Sequence, residues 1–473
     1  MTLDSNICYR AMRARDARFD GRFFVAVSST HIYCRPVCTV KPPRRENCRF
    51  YPSAAAAESA GYRPCLRCRP ELAPGNASVD ATTRLAQAAA SMIEDHTLED
   101  DGLEAIAVRL GITDRHLRRA FRAEFGVSPV EFAQTQRLLL AKRLLTDTAL
   151  PVTEIAFASG FASVRRFNAL FKAQYRLQPS QLRRVAPGAA ALDTLDFELS
   201  FRPPYDWPVV SAFLGARAIA GVEALEKDLY RRTVRVALDG QQQFGWLEVG
   251  LSRKKPALRV SVSASLARAL PPVLSRIKAL MDLACNPVEV AQALGALAKK
   301  HPGLRVPGAF DGFEVAVRAI LGQQVTVAAA RTVAGRFAAA FGDRVDTPFD
   351  SLTTAFPTAE RVAAVPYGRI AKLGMPGARA RTVITLAREV ADGKLVLMPN
   401  ADIEATLDKL RALPGIGEWT AQYIAMRALA WPDAFPHTDV GVMKALNLSN
   451  PKRVLAAGEA WRPWRAYAVM HLW

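Results

Sequence analysis

The chain has 473 residues, half of them apolar, and a formal net charge of +19 with an isoelectric point near 9.9. That length suits about three domains of ordinary size, and the composition excludes a chain too polar to build cores. No apolar run is long enough to span a bilayer, and the opening MTLDSNICYRAMRARD lacks the apolar segment of a secretory signal. The expectation is therefore a cytoplasmic protein. Its positive charge is spread over residues 1–80, 81–185 and 186–473 alike, which points to a polyanion contacted along much of the chain.

Residues 1–75 hold six of the seven cysteines and end in the loop ELAPGNAS. Cys34 and Cys38 are spaced C-x3-C, Cys65 and Cys68 C-x2-C, with 26 residues between the pairs. In a reducing compartment this spacing predicts tetrahedral Zn²⁺ rather than a disulfide frame. Four thiolates on one Zn²⁺ leave a net charge of −2, which keeps a sulfur electron-rich. Cys8, Cys48 and Cys285 lie outside the motif and read as ordinary buried or half-buried thiols.

The stretch FVAVSSTHIYCRPVC…RRENCRFY…GYRPCLRC resembles the amino-terminal domain of the Ada family of methylation-repair regulators. The resemblance implies that Cys34 takes a methyl group from a methyl phosphotriester in DNA. The site would then go from −2 to −1 and bind phosphates more tightly. Arg45, Arg63 and Arg67 are the nearby candidates for phosphate contacts. The Pro-Cys-His-Arg motif of an O6-methylguanine methyltransferase is not in the sequence, so no transfer from that base is expected.

Residues 80–186 read as helical and contain a repeat. IAVRLGITDRHLRRAFRAEFGVSP begins at Ile106 and IAFASGFASVRRFNALFKAQYRLQP at Ile155. Each reads as a short helix, a turn at Gly111 or Gly160, a longer basic helix, then Pro129 or Pro179. This pair of helix-turn-helix units resembles the AraC family of transcription factors. Arg115, His116 and Arg119 would face DNA in the first unit, and Ser163, Arg165 and Arg166 in the second.

After the linker RVAPGAAALDT, the runs RRTVRVAL, GWLEVGL and LRVSVSAS alternate as half-buried strands do. They predict a small antiparallel sheet within 195–285. From about Asp311 the pattern turns helical and stays so. LRALPGIGEWTAQYIAMRAL reads as helix, hairpin, helix with its turn at Pro414, Gly415, Ile416 and Gly417, where a phosphate can approach the backbone. Asp439 follows in FPHTDVGVMKAL.

RPPYDWPVVSAFLGARAIAGVE, PGLRVPGAFDGFEVAVRAILGQQVTVAAA and WRPWRAYAVMHLW resemble AlkA-type 3-methyladenine DNA glycosylases over 195–473. The resemblance implies Asp439 as the catalytic carboxylate and Trp419, Tyr423 and Trp473 as an aromatic pocket, with Tyr205 and Trp207 as weaker candidates. Position 419 is the Schiff-base lysine of the lyase relatives, so Trp419 implies a monofunctional enzyme that leaves an abasic site. Gln324 stands where the resemblance implies an intruding leucine. Trp473 is the last residue, and weaker anchoring of that ring is expected.

The expected architecture is multidomain α+β. It comprises a small zinc-bound α+β domain (1–75), an all-α double helix-turn-helix domain (80–186), a TBP-like sheet domain (195–285) and an all-α helix-hairpin-helix glycosylase domain (286–473). The expected partners are double-stranded DNA, both alkylated and promoter, and RNA polymerase; no membrane is expected, and the chain is expected to act as a monomer associated with the nucleoid. Two alternatives remain at this point. One is a regulator with structural zinc and an inactive glycosylase half. The other is a glycosylase whose amino-terminal part only tethers it to DNA.

Overall fold

The computed structural model describes residues 4–75, 81–94, 98–183, 193–238, 240–399 and 402–473. Among these residues nine principal strands follow one another. They are β1 (Phe24–Val27), β2 (Ile32–Cys34), β3 (Cys48–Tyr51), β4 (Arg63–Pro64), β5 (Thr194–Ser200), β6 (Glu223–Glu226), β7 (Leu229–Leu238), β8 (Gln241–Leu251) and β9 (Ala257–Ser263). The chain divides into two compact units. The first comprises residues 1–203, 252–275 and 283–286; the second comprises 204–251, 276–282 and 287–473.

In the first unit, β1 to β4 form a sheet in the order β3-β1-β2-β4. β2 and β4 run parallel, with Tyr33 opposite Pro64, so the residues that follow them, Cys34 and Cys65, emerge side by side. A helix over Ser5–Ala14 starts where the Asp4 carboxylate accepts from the amides of Asn6 and Ile7. Its buried Cys8, Ala11 and Met12 pack on Phe23, Val25 and Cys48.

The sequence repeat becomes two structural copies of one device. Thr113 and Ser163 cap the helices Asp114–Phe125 and Val164–Tyr175 through their hydroxyls. Gly111 and Gly160, at φ +68° and +79°, make the preceding turns. Each long helix buries rings four residues apart. Phe121 packs edge-on and Phe125 tilted against Phe132; Phe167, Phe171 and Tyr175 form the second ladder. The connecting helix Pro129–Asp147 opens with a reciprocal cap between Ser128 and Glu131. Its Leu139 lies in the same core as Phe24, Tyr33 and Tyr62, so the cysteine-bearing sheet and the repeat share hydrophobic packing.

β5 and β9 also belong to this unit and pair antiparallel, with Leu195, Phe197 and Leu199 opposite Val262, Val260 and Leu258. The sequence reading missed β5 and β6. Both lie outside the three alternating runs, and β6 is only four residues long.

In the second unit, β6, β7 and β8 form an antiparallel meander. The Gly312–Leu321 helix is almost entirely buried and packs against Gly377–Ala391 and Glu418–Arg427. A buried charge cluster ties the meander to it. Arg232 Nη2 lies 2.7 Å from Glu314, and Arg318 Nη1 lies 2.7 Å from Glu223 and 3.1 Å from Glu314. Burying these four groups is tolerable only because each charge finds an opposite. The helical half is interrupted by a short strand pair, Asp343–Arg344 with Thr354–Ala355, which corrects the uninterrupted helical pattern read from the sequence.

Candidate functional site

Among the described residues, two places gather the side chains that the sequence singled out for chemistry. At the first, the Sγ atoms of Cys34, Cys38, Cys65 and Cys68 all lie within 4.8 Å of one another. Sulfurs at the corners of a zinc tetrahedron sit about 3.8 Å apart, so the four fit Zn²⁺ with little adjustment. Backbone amides already point at the sulfurs: Arg35 N donates to Cys68 Sγ at 3.3 Å and Arg67 N to Cys65 Sγ at 3.4 Å. Hydrogen bonding among the sulfurs divides them. Contact first with Cys34, then with Cys38 and Cys68, pulls the Cys65 thiol far below its usual range, whereas contact first with Cys38 pushes Cys34 up. Cys34 ends β2 and is 9 % exposed.

Arg35, which sequence reasoning passed over, is the buried cation beside this cluster. Its guanidinium pairs with Asp20 and reaches the carbonyl of Cys68 at 3.3 Å. The sequence signal was an arginine directly after the first cysteine. Cys8, Cys48 and Cys285 are buried, and burial pushes the Cys8 thiol up to about 11. Of the phosphate candidates, Arg67 is exposed. Arg45 lies over the rings of Tyr9 and Phe50, and Arg63 donates to the carbonyl of Tyr175. Arg115, His116, Arg119, Arg165 and Arg166 are all exposed in the first halves of their helices. Ser163 is occupied as a cap.

At the second place, the hairpin between Ile403–Ala412 and Glu418–Arg427 turns at Gly415, whose φ is +88°. A Cβ there would sit 2.1 Å from Thr382 Oγ1, and that hydroxyl donates to the carbonyl of Pro414 at 2.9 Å. A Cβ on Gly417 would meet nothing within 4 Å, so the backbone at the helix start is open. Gln323, another residue the sequence reading passed over, fastens the turn from the side. Its Nε2 donates to Gly415 O at 2.8 Å and Thr420 Oγ1 at 2.9 Å. Gln324 is thereby presented exposed, at φ +54°, beside an exposed Val325.

Asp439 caps the helix Val440–Ala445, its Oδ1 accepting from Val442 N at 3.0 Å. Two indoles grip the same carboxylate: Trp419 Nε1 donates to Oδ2 at 2.7 Å and Trp473 Nε1 to Oδ1 at 2.9 Å. Trp419 and Tyr423, one helical turn apart, stack at 5.3 Å and 24°. Tyr423 lies 6.1 Å from Trp473, and Phe213 stacks on Trp473 at 6.1 Å and 11°. All four rings are at least partly exposed, an unusual state for large aromatics unless they line a cleft. Trp473, at the end of the chain, is thus anchored by a hydrogen bond and a stack.

Three guanidiniums back these rings. Burial pushes the Tyr423 phenol up, but Arg427, Arg217 and Arg318 outweigh it and leave the group below its usual range. Burial holds the Arg217 guanidinium below its usual range. Tyr205 stands apart from this set: its hydroxyl donates to Met281 O at 2.8 Å and its ring lies under Arg305 and beside Trp207. Trp207 is buried. The aromatic that does join Trp473 is Phe213, further along the same run, where its spacing of six from Trp207 gave no sign of the role.

Four family descriptions match in chain order. They are the metal binding domain of Ada over residues 7–71, a helix-turn-helix domain over 106–185, the AlkA N-terminal domain over 196–311, and the HhH-GPD superfamily base excision DNA repair protein over 317–453. A probable bifunctional transcriptional activator/DNA repair enzyme AlkA from Mycobacterium tuberculosis is 39 % identical over 485 residues, which cover 99 % of this chain and 96 % of that one. The DNA-3-methyladenine glycosylase 2 of Escherichia coli is 36 % identical over 59 % of this chain and 96 % of its own. The bifunctional transcriptional activator/DNA repair enzyme Ada of Escherichia coli is 38 % identical over 30 % of this chain and 38 % of its own. The chain belongs to the family of bifunctional transcriptional activator/DNA repair enzymes of the AlkA type. Among the described residues no helix is long and apolar enough to cross a membrane.

Proposed function

We propose that the chain answers DNA alkylation in two ways: it excises alkylated purines as a monofunctional glycosylase, and it accepts a methyl group from DNA phosphotriesters and then activates transcription. The observation that carries the reading is the Asp439 carboxylate, held by two indole N–H groups in the middle of four half-exposed rings, next to a hairpin shaped for a phosphate backbone.

The chemistry follows from these groups. A damaged nucleotide leaves the stack while Gln324 and Val325 enter the space it vacates. The rings of Trp419, Tyr423, Trp473 and Phe213 stack on the base. In 3-methyladenine or 7-methylguanine the base is cationic and departs as a neutral purine. Asp439 then faces the oxocarbenium-like sugar with its negative charge and orients the water that adds to C1′. Trp419 and Trp473 hold that carboxylate in one orientation.

In the other half, Cys34, Cys38, Cys65 and Cys68 would hold zinc, which when bound keeps all four sulfurs deprotonated. Cys34 Sγ attacks the methyl carbon; the methyl–oxygen bond breaks and the phosphate oxygen keeps the electron pair. The protein is consumed, because nothing removes the methyl. Losing one negative charge strengthens the hold of Arg67, Arg45 and Arg63 on phosphates. Arg115, His116, Arg119, Arg165 and Arg166 then read a promoter beside RNA polymerase.

We further take 1–75, 80–186, 195–285 and 286–473 as the working divisions, a monomer as the active form, and the nucleoid as its place. The test is to incubate the zinc-loaded chain with methylated duplex. Free 3-methyladenine in solution and one added methyl on Cys34 are expected. A chain that gains no methyl and frees no purine contradicts the proposal.

A further inference from the structure

The three guanidiniums behind the aromatic cleft are not equivalent. Arg318 is neutralised by Glu223 and Glu314. Arg427 is spent on the protein: it donates to the carbonyls of Pro307 and Gly308 and to the Tyr423 hydroxyl, and it is buried. Arg217 differs. It lies 3.7 Å over Phe213 and 5.9 Å from the Trp473 ring centroid. It donates a long hydrogen bond, 3.4 Å, to the carbonyl of Phe213 and interacts with the Tyr423 hydroxyl. Burial acts on its charge most, then Tyr423, Arg427 and Arg318, and among the described residues it forms no ion pair with a carboxylate. Arg217 is half-exposed, and its backbone is fixed where its carbonyl accepts from Arg318. A guanidinium carries five N–H donors, so Arg217 brings both an uncompensated positive charge and spare donors to the cleft.

That charge acts oppositely on two classes of damaged base. A cationic purine leaves as a neutral molecule, and a fixed cation nearby opposes its binding. A neutral purine leaves as an anion, because the C1′–N9 electron pair stays on N9. Here a fixed cation with free N–H groups stabilises the departing charge. Water adds to C1′, and its proton ends on the purine, so the products are free base and abasic sugar. Resting on the glycosylase reading above, we infer that Arg217 is a specificity-determining residue: it stabilises the anionic leaving group of a neutral damaged purine and opposes binding of a cationic one.

The full-length chain is assayed on two duplexes, one carrying 7-methylguanine (cationic) and one carrying hypoxanthine (neutral). Arg217→Gln is expected to slow hypoxanthine release on the order of 10²-fold, as for loss of one charge-stabilising donor. It is expected to speed 7-methylguanine release about threefold by removing a like charge. Arg217→Lys, which keeps the charge, is expected to recover most of the hypoxanthine rate. An equal fall on both duplexes, an unchanged hypoxanthine rate in Arg217→Gln, or a wild-type chain that frees 7-methylguanine but no hypoxanthine overturns the inference. A wild-type chain that frees neither base overturns the glycosylase reading instead, and the inference falls with it.

Discussion

At the scale of single residues, the site is built by donors that leave little freedom. Asp439 receives three N–H groups, two from indoles and one from its own helix start. Trp419→Phe keeps a ring on Tyr423 but removes one of these donors. Excision is expected to fall about 10-fold with substrate binding largely retained, as kcat against KM would show. Gly415→Ala is a harsher change. It forces a side chain into the left-handed region and onto Thr382. A loss of about 1–3 kcal/mol is expected in denaturant unfolding, together with weaker DNA binding; an unchanged midpoint would show that the turn tolerates a Cβ. The cysteine quartet, Asp439, Trp419, Tyr423 and Trp473 were legible because spacing and motif carry them. Phe213, Arg217 and Gln323 were not, since their roles depend on the approach of segments some 90 to 260 residues apart in the sequence, which no local pattern encodes.

At the scale of elements, the repeat was readable because each copy signals itself through a glycine turn, a hydroxyl cap and apolar spacing. The packing of the repeat against the cysteine-bearing sheet was not. There the carboxyl of Glu58 is enclosed by Tyr33 of β2, Thr135 and Lys142 of the connecting helix, and Tyr175 of the second long helix. Burial pushes it up to about 8, against the hydrogen bonds and the Lys142 charge that pull it down. A carboxyl raised in the folded state favours folding most at low pH. Its contribution is complete below its ordinary value near 4.5 and is lost as pH rises towards 8. Stability is therefore expected to decline across that window by up to about 1.4 kcal/mol per pH unit. Glu58→Gln is expected to flatten the decline in thermal unfolding. An equally steep slope in the variant would place the titration elsewhere. The strand β6 escaped the sequence reading for a simpler reason. β6 has four residues, too few to establish an alternation.

At the scale of the whole molecule, the two chemistries depend on different groups: four sulfurs in one unit, a carboxylate and four rings in the other. Cys34→Ser is therefore expected to abolish methyl acceptance and lower zinc retention while base release proceeds at the wild-type rate. Failure of excision in that variant would mean that the activities are linked. The net charge of +19 predicts DNA affinity that falls steeply and linearly on a logarithmic salt scale. The central claim is that Asp439 supplies the negative charge on which bond cleavage depends. Single-turnover release of 7-methylguanine by Asp439→Asn, on DNA the variant still binds, tests this most directly. Release is predicted to drop on the order of 10³-fold with DNA affinity near that of the wild type; release at the wild-type rate would contradict the account.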